Sequence, residues 1–431
     1  MKAIILAGGL GTRLKEKTKN TPKPMLLVGG KPLLASQIEL LKRYGIKDIT
    51  ILTHWLPEVI ERYFGNGQNF GVKISYFREK KPLGTAGGLK EIEKGLKNDF
   101  LLLSGDVVMD LDLKMLVNFH KKKKGVGTLV LHPNDHPYDS DLIEIDANQR
   151  VTVFHLRPHP DNAYFHNLGN AGLYVFSPRI LKYLKKGEKA DWTKDIFPKI
   201  VKKEALYGYL TAEYLKDMGT LERLKETDKD SHSGKIQRLN RRYLRKAIFL
   251  DRDGTINKTD RDVYRPEEFK LFPNAAEAVK KINESEFLAI VITNQPGVAK
   301  GFCQISDIDE VHKKMETDLG KEGAKLDGIY FCPHHPEKGF KGENPEYKIE
   351  CSCRKPKIGM IKKAEKDFNI DLKHSYFIGD SSRFDISCGR NAGTTTIGIK
   401  TGRGCRDGET KPDFMKKDIL AAVNFIINRN K

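Results

Sequence analysis

The chain has 431 residues with a formal net charge of +19, and at about 100 to 200 residues per domain it holds two or three domains rather than one small module. Hydrophobic residues at 39% suffice for buried cores. Charged residues at 31%, with no apolar run near the roughly 18 residues of a membrane span, exclude an integral membrane class and lead us to expect a cytoplasmic protein with no membrane partner.

The opening stretch 1–9 is too short for a secretory signal and reads as a first strand. Gly8, Gly9, Gly11, Thr12 and Arg13 follow it directly. Such a loop can turn backbone N–H groups toward phosphates while Arg13 adds positive charge; its other reading is a tight strand-to-helix turn. It lacks the Gly-Lys-Ser/Thr of a Walker loop and the spacing of a dinucleotide fingerprint. Lys23 stands between Pro22 and Pro24. Runs 49–53, 100–104 and 173–176 are short and β-rich and alternate with amphipathic stretches, which is an α/β rhythm.

Gly84, Thr85 and Gly87 make a second small-residue loop, open enough for a base or ribose to approach the backbone. Asp106 ends an apolar strand at the position where α/β sheets keep ligand-binding groups, and Asp217 offers a second carboxylate. Two carboxylates suit Mg²⁺ shared with substrate phosphates. Singly, Asp106 reads as a helix cap, Asp217 as a turn residue and Lys23 as a solvated side chain. The lysines 121–124 read as a solvated helix end.

Between 228 and 245 the periodicity fades into a polar, then basic connector, which divides the chain into domains 1–227 and 246–431 with a linker at 228–245. A strand start at 246–250 and runs 288–293 and 375–378 renew the α/β rhythm. Asp251 and Asp253 end that strand, one carboxylate suited to attack phosphorus and the other to protonate a leaving oxygen; calcium loops and surface turns share the pattern. Thr293, Lys355 and Asp380 follow in order. Cys332, Cys351 and Cys353 with His334 or His335 supply three thiolates and an imidazole, a donor set for a closed tetrahedral Zn²⁺ site. Six cysteines in so long a chain are not a secreted disulfide framework, and Cys303, Cys388 and Cys405 read as ordinary thiols.

Over most of residues 1–227 these motifs, in order and spacing, resemble the sugar-1-phosphate nucleotidyltransferases. The resemblance implies a Rossmann-like domain in which Gly8, Gly9, Gly11, Thr12 and Arg13 hold a triphosphate and Lys23 meets the α-phosphate region. Gly84, Thr85 and Gly87 would border the base, Asp106 and Asp217 would hold Mg²⁺, and Asn170 and Gly172 would lie on the sugar-side strand. Arg157 stands where the family has a Glu-Lys-Pro segment. Segment 132–141 resembles the branch that uses heptose 1-phosphate and a guanine nucleotide.

The second set resembles the haloacid dehalogenase superfamily of phosphatases, implying a second Rossmann-like domain, here with a zinc loop. By that resemblance Asp251 is the nucleophile and Asp253 the general acid and then base, while Thr293 and Lys355 bind the transferred phosphoryl group. Mg²⁺ would sit on Asp251, the Asp253 carbonyl and Asp380, supported by Asp385. The zinc loop occurs in heptose bisphosphate and histidinol phosphatases, and Asn294, Gln295 and the run 330–336 look closer to the former. The resemblance favours His334 over His335 and gives the metal a structural role, stiffening the segment that presents Arg354 and Lys355. Pro296 stands where serine is common, and Ser381 where a lysine can follow the aspartate.

The expectation is an α/β enzyme with two activities. It would remove the 7-phosphate from heptose 1,7-bisphosphate and transfer GMP from GTP to heptose 1-phosphate, with sugar phosphates and nucleoside triphosphates as partners. One alternative joins a histidinol-type phosphatase to a hexose-1-phosphate transferase. Another, prompted by the charge, is a zinc-containing nucleic-acid-binding protein, but Asp106, Asp217, Asp251 and Asp253 at strand ends would repel a phosphate backbone. The sequence carries no signature of oligomeric state.

Overall fold

The structure is a computed structural model that describes residues 1–259 and 261–430; Lys431, the end of the expected second domain, lies outside them. The chain forms two compact bodies, one of Met1–His132, Ser140–Pro158 and Leu168–Asn240, the other of Pro133–Asp139, His159–Asn167 and Arg241–Lys431. Among the described residues no helix is long and apolar enough to cross a membrane.

The first body is built on a nine-stranded mixed sheet. Its centre is the strand Lys2–Ala7, flanked in parallel by Asp48–Thr53 and Phe100–Ser104. Side chains alternate between two cores: Ala3, Ile5 and Ala7 join one cluster with Leu101 and Leu103, and Ile4 joins the other with Phe100 and Leu102. A strand covered on both faces reads as a continuous apolar run, and these do. Parallel pairing brings the ends of Lys2–Ala7 and Phe100–Ser104 to one edge, so the Gly8 loop and Asp106 become neighbours. The contact is close. Gly105 N donates to Leu6 O at 2.9 Å, and a Cβ on Gly105 would meet that oxygen at 2.5 Å.

The second body carries a six-stranded parallel sheet in the order Gly328–Cys332, Phe287–Asn294, Lys246–Leu250, Tyr376–Gly379, Thr395–Ile399, Phe414–Lys416. The C-terminal ends of the four strands from Gly328–Cys332 to Tyr376–Gly379 deliver Cys332, Thr293, Asp251 and Asp380 to one edge. The helix Ile305–Lys321 buries Ile308, Val311, His312, Met315 and Leu319, an i, i+3, i+4, i+7 stripe, behind a Gln304–Asp307 capping box.

The connector expected at 228–245 is helical over about half its length. Leu221–His232 runs through its first residues and Lys235–Arg238 follows, both in the first body. The helix Leu221–His232 buries only Thr227 and Asp230 and docks by hydrogen bonds, Tyr214 Oη to Asp230 at 2.9 Å and Gly29 N to Asp228 at 2.9 Å. A helix held by polar contacts leaves no apolar period to read.

Within the second body, His166 lies between Glu316 (2.6 Å from Nδ1) and Asp309 (3.0 Å from Nε2) on the helix Ile305–Lys321. Burial disfavours the imidazolium, but hydrogen bonds to both carboxylates outweigh it and hold the His166 pKa up at about 10. A pKa raised from its unfolded value of about 6.5 adds stability that is complete below that value and is lost as pH rises through about 10. His166→Gln is therefore expected to lower the melting temperature most near pH 6, with the difference from wild type shrinking by pH 10. A pH-independent difference would contradict the ion-pair account.

Candidate active sites

At the edge of the first sheet, Gly8 packs against His54 Cβ and Gly11 adopts φ 63°, its carbonyl accepting from Thr18 Oγ1 at 3.0 Å. Gly9 differs. It is exposed, and a Cβ there would meet nothing within 4 Å, so internal packing does not require a glycine and its backbone stands open to a ligand. Lys23, buried in a short turn, donates to Asp106 Oδ2 at 2.5 Å, and Ser104 Oγ donates to Oδ1 at 2.7 Å. Burial works against the Asp106 carboxylate, but Lys23 and then Ser104 outweigh it and hold its pKa below the usual value.

Asp217 reaches the same place because its strand Tyr214–Asp217 pairs with Val107–Asp110, Asp217 opposite Val107, and Met218 N donates to Asp106 O at 3.0 Å. Its carboxylate accepts from Gly219 N at 2.7 Å and from Arg223 Nη1 at 3.0 Å. A Cβ on Gly219 would meet Asp217 Oδ1 at 2.5 Å and Arg13 Nη2 at 3.0 Å, so Arg13 converges on the same spot. Thr12 begins the 3₁₀ turn of that loop. Lys23 with Asp106 and Arg13 beside Asp217 thus lie on adjoining strand ends, joined by the Met218–Asp106 backbone bond. Arg223 is a partner of Asp217 that sequence reasoning missed; its position six residues beyond Asp217 was the available signal.

The other expected contacts are partly committed within the protein. The backbone beside Gly84 and Gly87 lies close against Ala190 O and Glu188 O, where added Cβ atoms would come within 2.4 and 2.3 Å. Thr85 Oγ1 donates to Asp191 and accepts from Trp192 N. Asn170 donates to Tyr174 Oη and Thr193 Oγ1 and accepts from Gly172 N. Gly172, at φ 68°, sits against Ser104, which links this strand to Asp106. Arg157 lies by Asp141, its Nε 3.9 Å from the carboxylate. Of segment 132–141, Pro133–Asp139 belongs to the second body.

In the second body Lys355, 2% exposed, donates to Asp251 Oδ1 at 2.6 Å, Asp385 Oδ1 at 2.6 Å and Ile292 O at 2.8 Å. Asp251, Asp380 and Asp385 are all buried, with ligand oxygens within 4.8 Å of one another. Burial, then the Asp385 charge, push Asp251 up to about 7 against the pull of Lys355; burial, Asp385 and Asp251 push Asp380 up to about 8. One ammonium does not balance three carboxylates, and the oxygen donors suit a hard divalent cation. Asp253 is turned toward Arg252 (3.1 and 2.8 Å), Gln295 Nε2 (2.8 Å) and Asn257 Nδ2 (3.0 Å). Gln295 also donates to Thr293 Oγ1 at 3.0 Å. Asn294 is bound at both ends of its amide to the Lys355 backbone, which fixes that lysine's segment beside the strand.

Arg252, Asn257 and His312, the last 3.4 Å from Arg252, are partners that the motif reading did not contain. Arg252 was visible within Asp-Arg-Asp, but only the fold shows it wholly buried and turned onto Asp253.

Cys332, His334, Cys351 and Cys353 place four ligand atoms within 4.8 Å of one another. The sulfurs of Cys353 and Cys332 are 3.2 Å apart and His334 Nδ1 is 3.3 Å from Cys353. Hydrogen bonds from Cys332, Cys351 and His334 lower the Cys353 pKa, and the same bond raises that of Cys332, so the two sulfurs share one proton between them. His335 points elsewhere, its Nε2 3.9 Å from Glu337. The donor set fits zinc, as its chemistry requires. Cys303, Cys388 and Cys405 are free, and burial raises their pKa values to about 11, 12 and 12, which keeps them thiols. A cavity of about 630 Å³ beside Phe302, Cys303 and Tyr347 is lined by none of the motif residues.

Two α/β bodies, each gathering lysine and carboxylates at the C-terminal edge of its sheet, define a protein built for phosphoryl chemistry. The nucleotidyl transferase family model matches residues 2–234, and a HAD-hydrolase-like model matches residues 352–424. The chain belongs to the nucleotidyl transferase family, and its second body to the HAD-hydrolase-like family. Similar proteins include a UTP–glucose-1-phosphate uridylyltransferase of Synechocystis, 35% identical over 47% of this chain and 55% of its own length. A mannose-1-phosphate guanylyltransferase of Mycobacterium tuberculosis is 34% identical over 51% of this chain and 61% of its own length. The chain therefore spans little more than half of these two relatives. For the second body, a D-glycero-β-D-manno-heptose-1,7-bisphosphate 7-phosphatase of Haemophilus ducreyi is 36% identical over 42% of this chain and 98% of its own length.

Removing one member of a buried ion cluster strands the others, a loss of about 3–5 kcal/mol. Lys355→Ala is therefore expected to abolish phosphate release from the second body and to lower its unfolding midpoint markedly. Normal melting with lost activity would limit the lysine to catalysis.

Proposed function

We propose that the chain is a bifunctional, cytoplasmic enzyme of nucleotide-activated heptose formation. Its motifs divide between domains 1–227 and 246–431, joined through 228–245, whose helices pack within the first body. The second removes the 7-phosphate from D-glycero-D-manno-heptose 1,7-bisphosphate, and the first transfers GMP from GTP to the resulting heptose 1-phosphate. The observation that carries this reading is the pairing in one chain of a nucleotidyl transferase body with a body similar to nearly the whole of a heptose bisphosphate phosphatase. One body's product is then the other's substrate.

In the phosphatase, Asp251 attacks the 7-phosphorus and the bond to the sugar oxygen breaks, leaving an aspartyl phosphate. Asp253 gives its proton to that oxygen, then takes one from water, which displaces phosphate and restores Asp251. Thr293 and Lys355 hold the phosphoryl oxygens, with Asn294, Gln295 and Arg354 near the substrate. Asp251, the Asp253 carbonyl and Asp380 would hold Mg²⁺, which when bound would supply positive charge to offset the oxyanions. In the transferase an oxygen of the sugar phosphate attacks the α-phosphorus of GTP and pyrophosphate leaves, a reaction driven by positioning and charge. Gly8, Gly9, Gly11, Thr12 and Arg13 cradle the triphosphate, Lys23 lies at the α-phosphate, and Asp106 and Asp217 would hold Mg²⁺. Gly84, Thr85 and Gly87 border the base; Arg157, Asn170 and Gly172 lie toward the sugar.

Zinc on Cys332, His334, Cys351 and Cys353 would be structural, since four protein ligands leave no place for water. Cys351→Ser is expected to lower the melting temperature and raise KM while phosphate release still requires Mg²⁺. Purified protein without about one zinc per chain by elemental analysis would refute the assignment.

The function itself is tested by incubating both anomers of the heptose bisphosphate with each nucleoside triphosphate and following phosphate, pyrophosphate and nucleotide sugar by mass. GTP is expected to be preferred, because a site pairing with guanine N1–H leaves polar groups unmatched by other bases. Asp251→Asn should stop phosphate release and spare transfer from preformed heptose 1-phosphate; Asp106→Ala should do the reverse. Turnover of mannose or glucose 1-phosphate instead would move the first body to a hexose substrate.

A further inference from the structure

The helix Ile305–Lys321 has a second face, covered by the segments Pro133–Asp139 and His159–Asn167 of the same body. The Lys314 ammonium stands 4.8 Å from the Tyr164 ring centroid, Phe165 N donates to Thr317 Oγ1 at 3.0 Å, and His166 bridges Asp309 and Glu316. Pro137 lies over Gly320, where a Cβ would come within 2.4 Å of its Cγ, so a residue unfavourable in a helix stands where the docked segment needs the room. Asn167 ties the two segments together, donating to Asn134 O at 2.6 Å and accepting from Asn134 N at 3.2 Å.

Asp309 and Glu316 are about two turns apart, and His312 stands between them on the adjoining flank of the helix. It is buried, edge-on to Phe331, with Nε2 3.4 Å from Arg252 Nη1. Burial, then the charges of Arg252 and His166, push the His312 pKa well below its usual value, so the neutral ring keeps a lone pair for the guanidinium. Arg252 has little freedom. Its Nε and Nη2 fork onto the two oxygens of Asp253, Nη2 also donates to Val263 O at 3.1 Å, and Nη1 meets His312. A wholly buried guanidinium is costly to desolvate and adds little net stability, whereas its planar fork gives a carboxylate a fixed direction.

We propose that Arg252 and His312 are positioning residues for Asp253, and that the segment His159–Asn167, by stapling the helix across His312, is a working part of the phosphatase. This rests on the phosphatase reading above and adds to it the groups that aim the proton-transferring carboxylate. It also makes phosphate release depend on residues that precede the expected start of the second domain. Arg252 keeps its protons throughout: Asp253 alone gives one to the sugar oxygen and takes one from water.

The test uses the full chain with Mg²⁺ and the variants Arg252→Lys, His312→Leu, His312→Gln, His166→Gln and His166→Lys. Two substrates are followed in the first turnover and at steady state: the heptose 1,7-bisphosphate, whose alkoxide leaves only with a proton, and p-nitrophenyl phosphate, whose phenolate leaves without one. Arg252→Lys and His312→Leu are expected to lower kcat on the bisphosphate about 10- to 100-fold with KM within about threefold of wild type, while first-turnover release of p-nitrophenolate slows less than about threefold. His166→Gln should show the same pattern with a loss of about three- to tenfold. Glutamine at 312, whose amide oxygen can accept from Arg252, and lysine at 166, a cation between two carboxylates, should each recover part of the loss. An equal first-turnover loss on both substrates, a raised KM at unchanged kcat, or unchanged kinetics overturns the positioning role; wild-type rates in His166→Gln overturn the part given to the docked segment. If wild type refuses the heptose compound, glycerol 1-phosphate serves as the alkyl ester: the same split then upholds the positioning role while the heptose assignment fails, and a wild type that hydrolyses no phosphate monoester refutes both. Should Arg252→Lys melt early, the two His312 variants, which leave the Arg252–Asp253 ion pair in place, carry the comparison.

Discussion

The second body depends on one buried ammonium. Lys355 is held by two carboxylates and a carbonyl, all within 2.8 Å, in surroundings almost without solvent. Three acids packed together would otherwise repel one another or take up protons, and the raised pKa values of Asp251 and Asp380 record how far a single lysine falls short of balancing them. A site so short of positive charge favours a hard divalent cation. The first body uses the same device with less burial: Lys23 on Asp106, with Arg13 and Arg223 about Asp217.

The position of Lys355 is set by a sequence of local constraints. The Asn294 amide binds its backbone at both N–H and C=O, so the strand that ends in Thr293 also fixes the lysine. Two residues earlier, Cys353 belongs to the four-donor cluster with Cys332, which ends the next strand. The four-donor cluster thus gathers Cys332 at one end of the loop and Cys353 at the other, where Arg354 and Lys355 follow directly. A loop anchored at two points loses little entropy when it meets substrate.

Much of this was legible in the sequence, for a physical reason. Strands buried on both faces are uninterrupted apolar runs, and 100–104 and 246–250 match their observed limits. The candidate groups Asp106 and Asp251 sit directly after such runs, so their place at the sheet edge could be read from chain order alone. What escaped reading shares a different character. The helix Leu221–His232 docks through Asp228 and Asp230 rather than an apolar stripe, and segments 133–139 and 159–167 belong to the second body through pairs such as His166 with Glu316, separated by 150 residues. No periodicity encodes such a pair.

The sequence by itself determined the two α/β bodies and the identity of the groups at each sheet edge, because strand periodicity and motif spacing are local properties of the chain. Tertiary structure alone decided which groups touch. It turned Asp253 onto Arg252, Gln295 and Asn257, set Arg223 against Asp217, committed Thr85 and Asn170 to internal bonds, and put His312 beside Arg252. Such meetings depend on strand register and on how loops fold back, which the local pattern of apolar and polar residues does not encode.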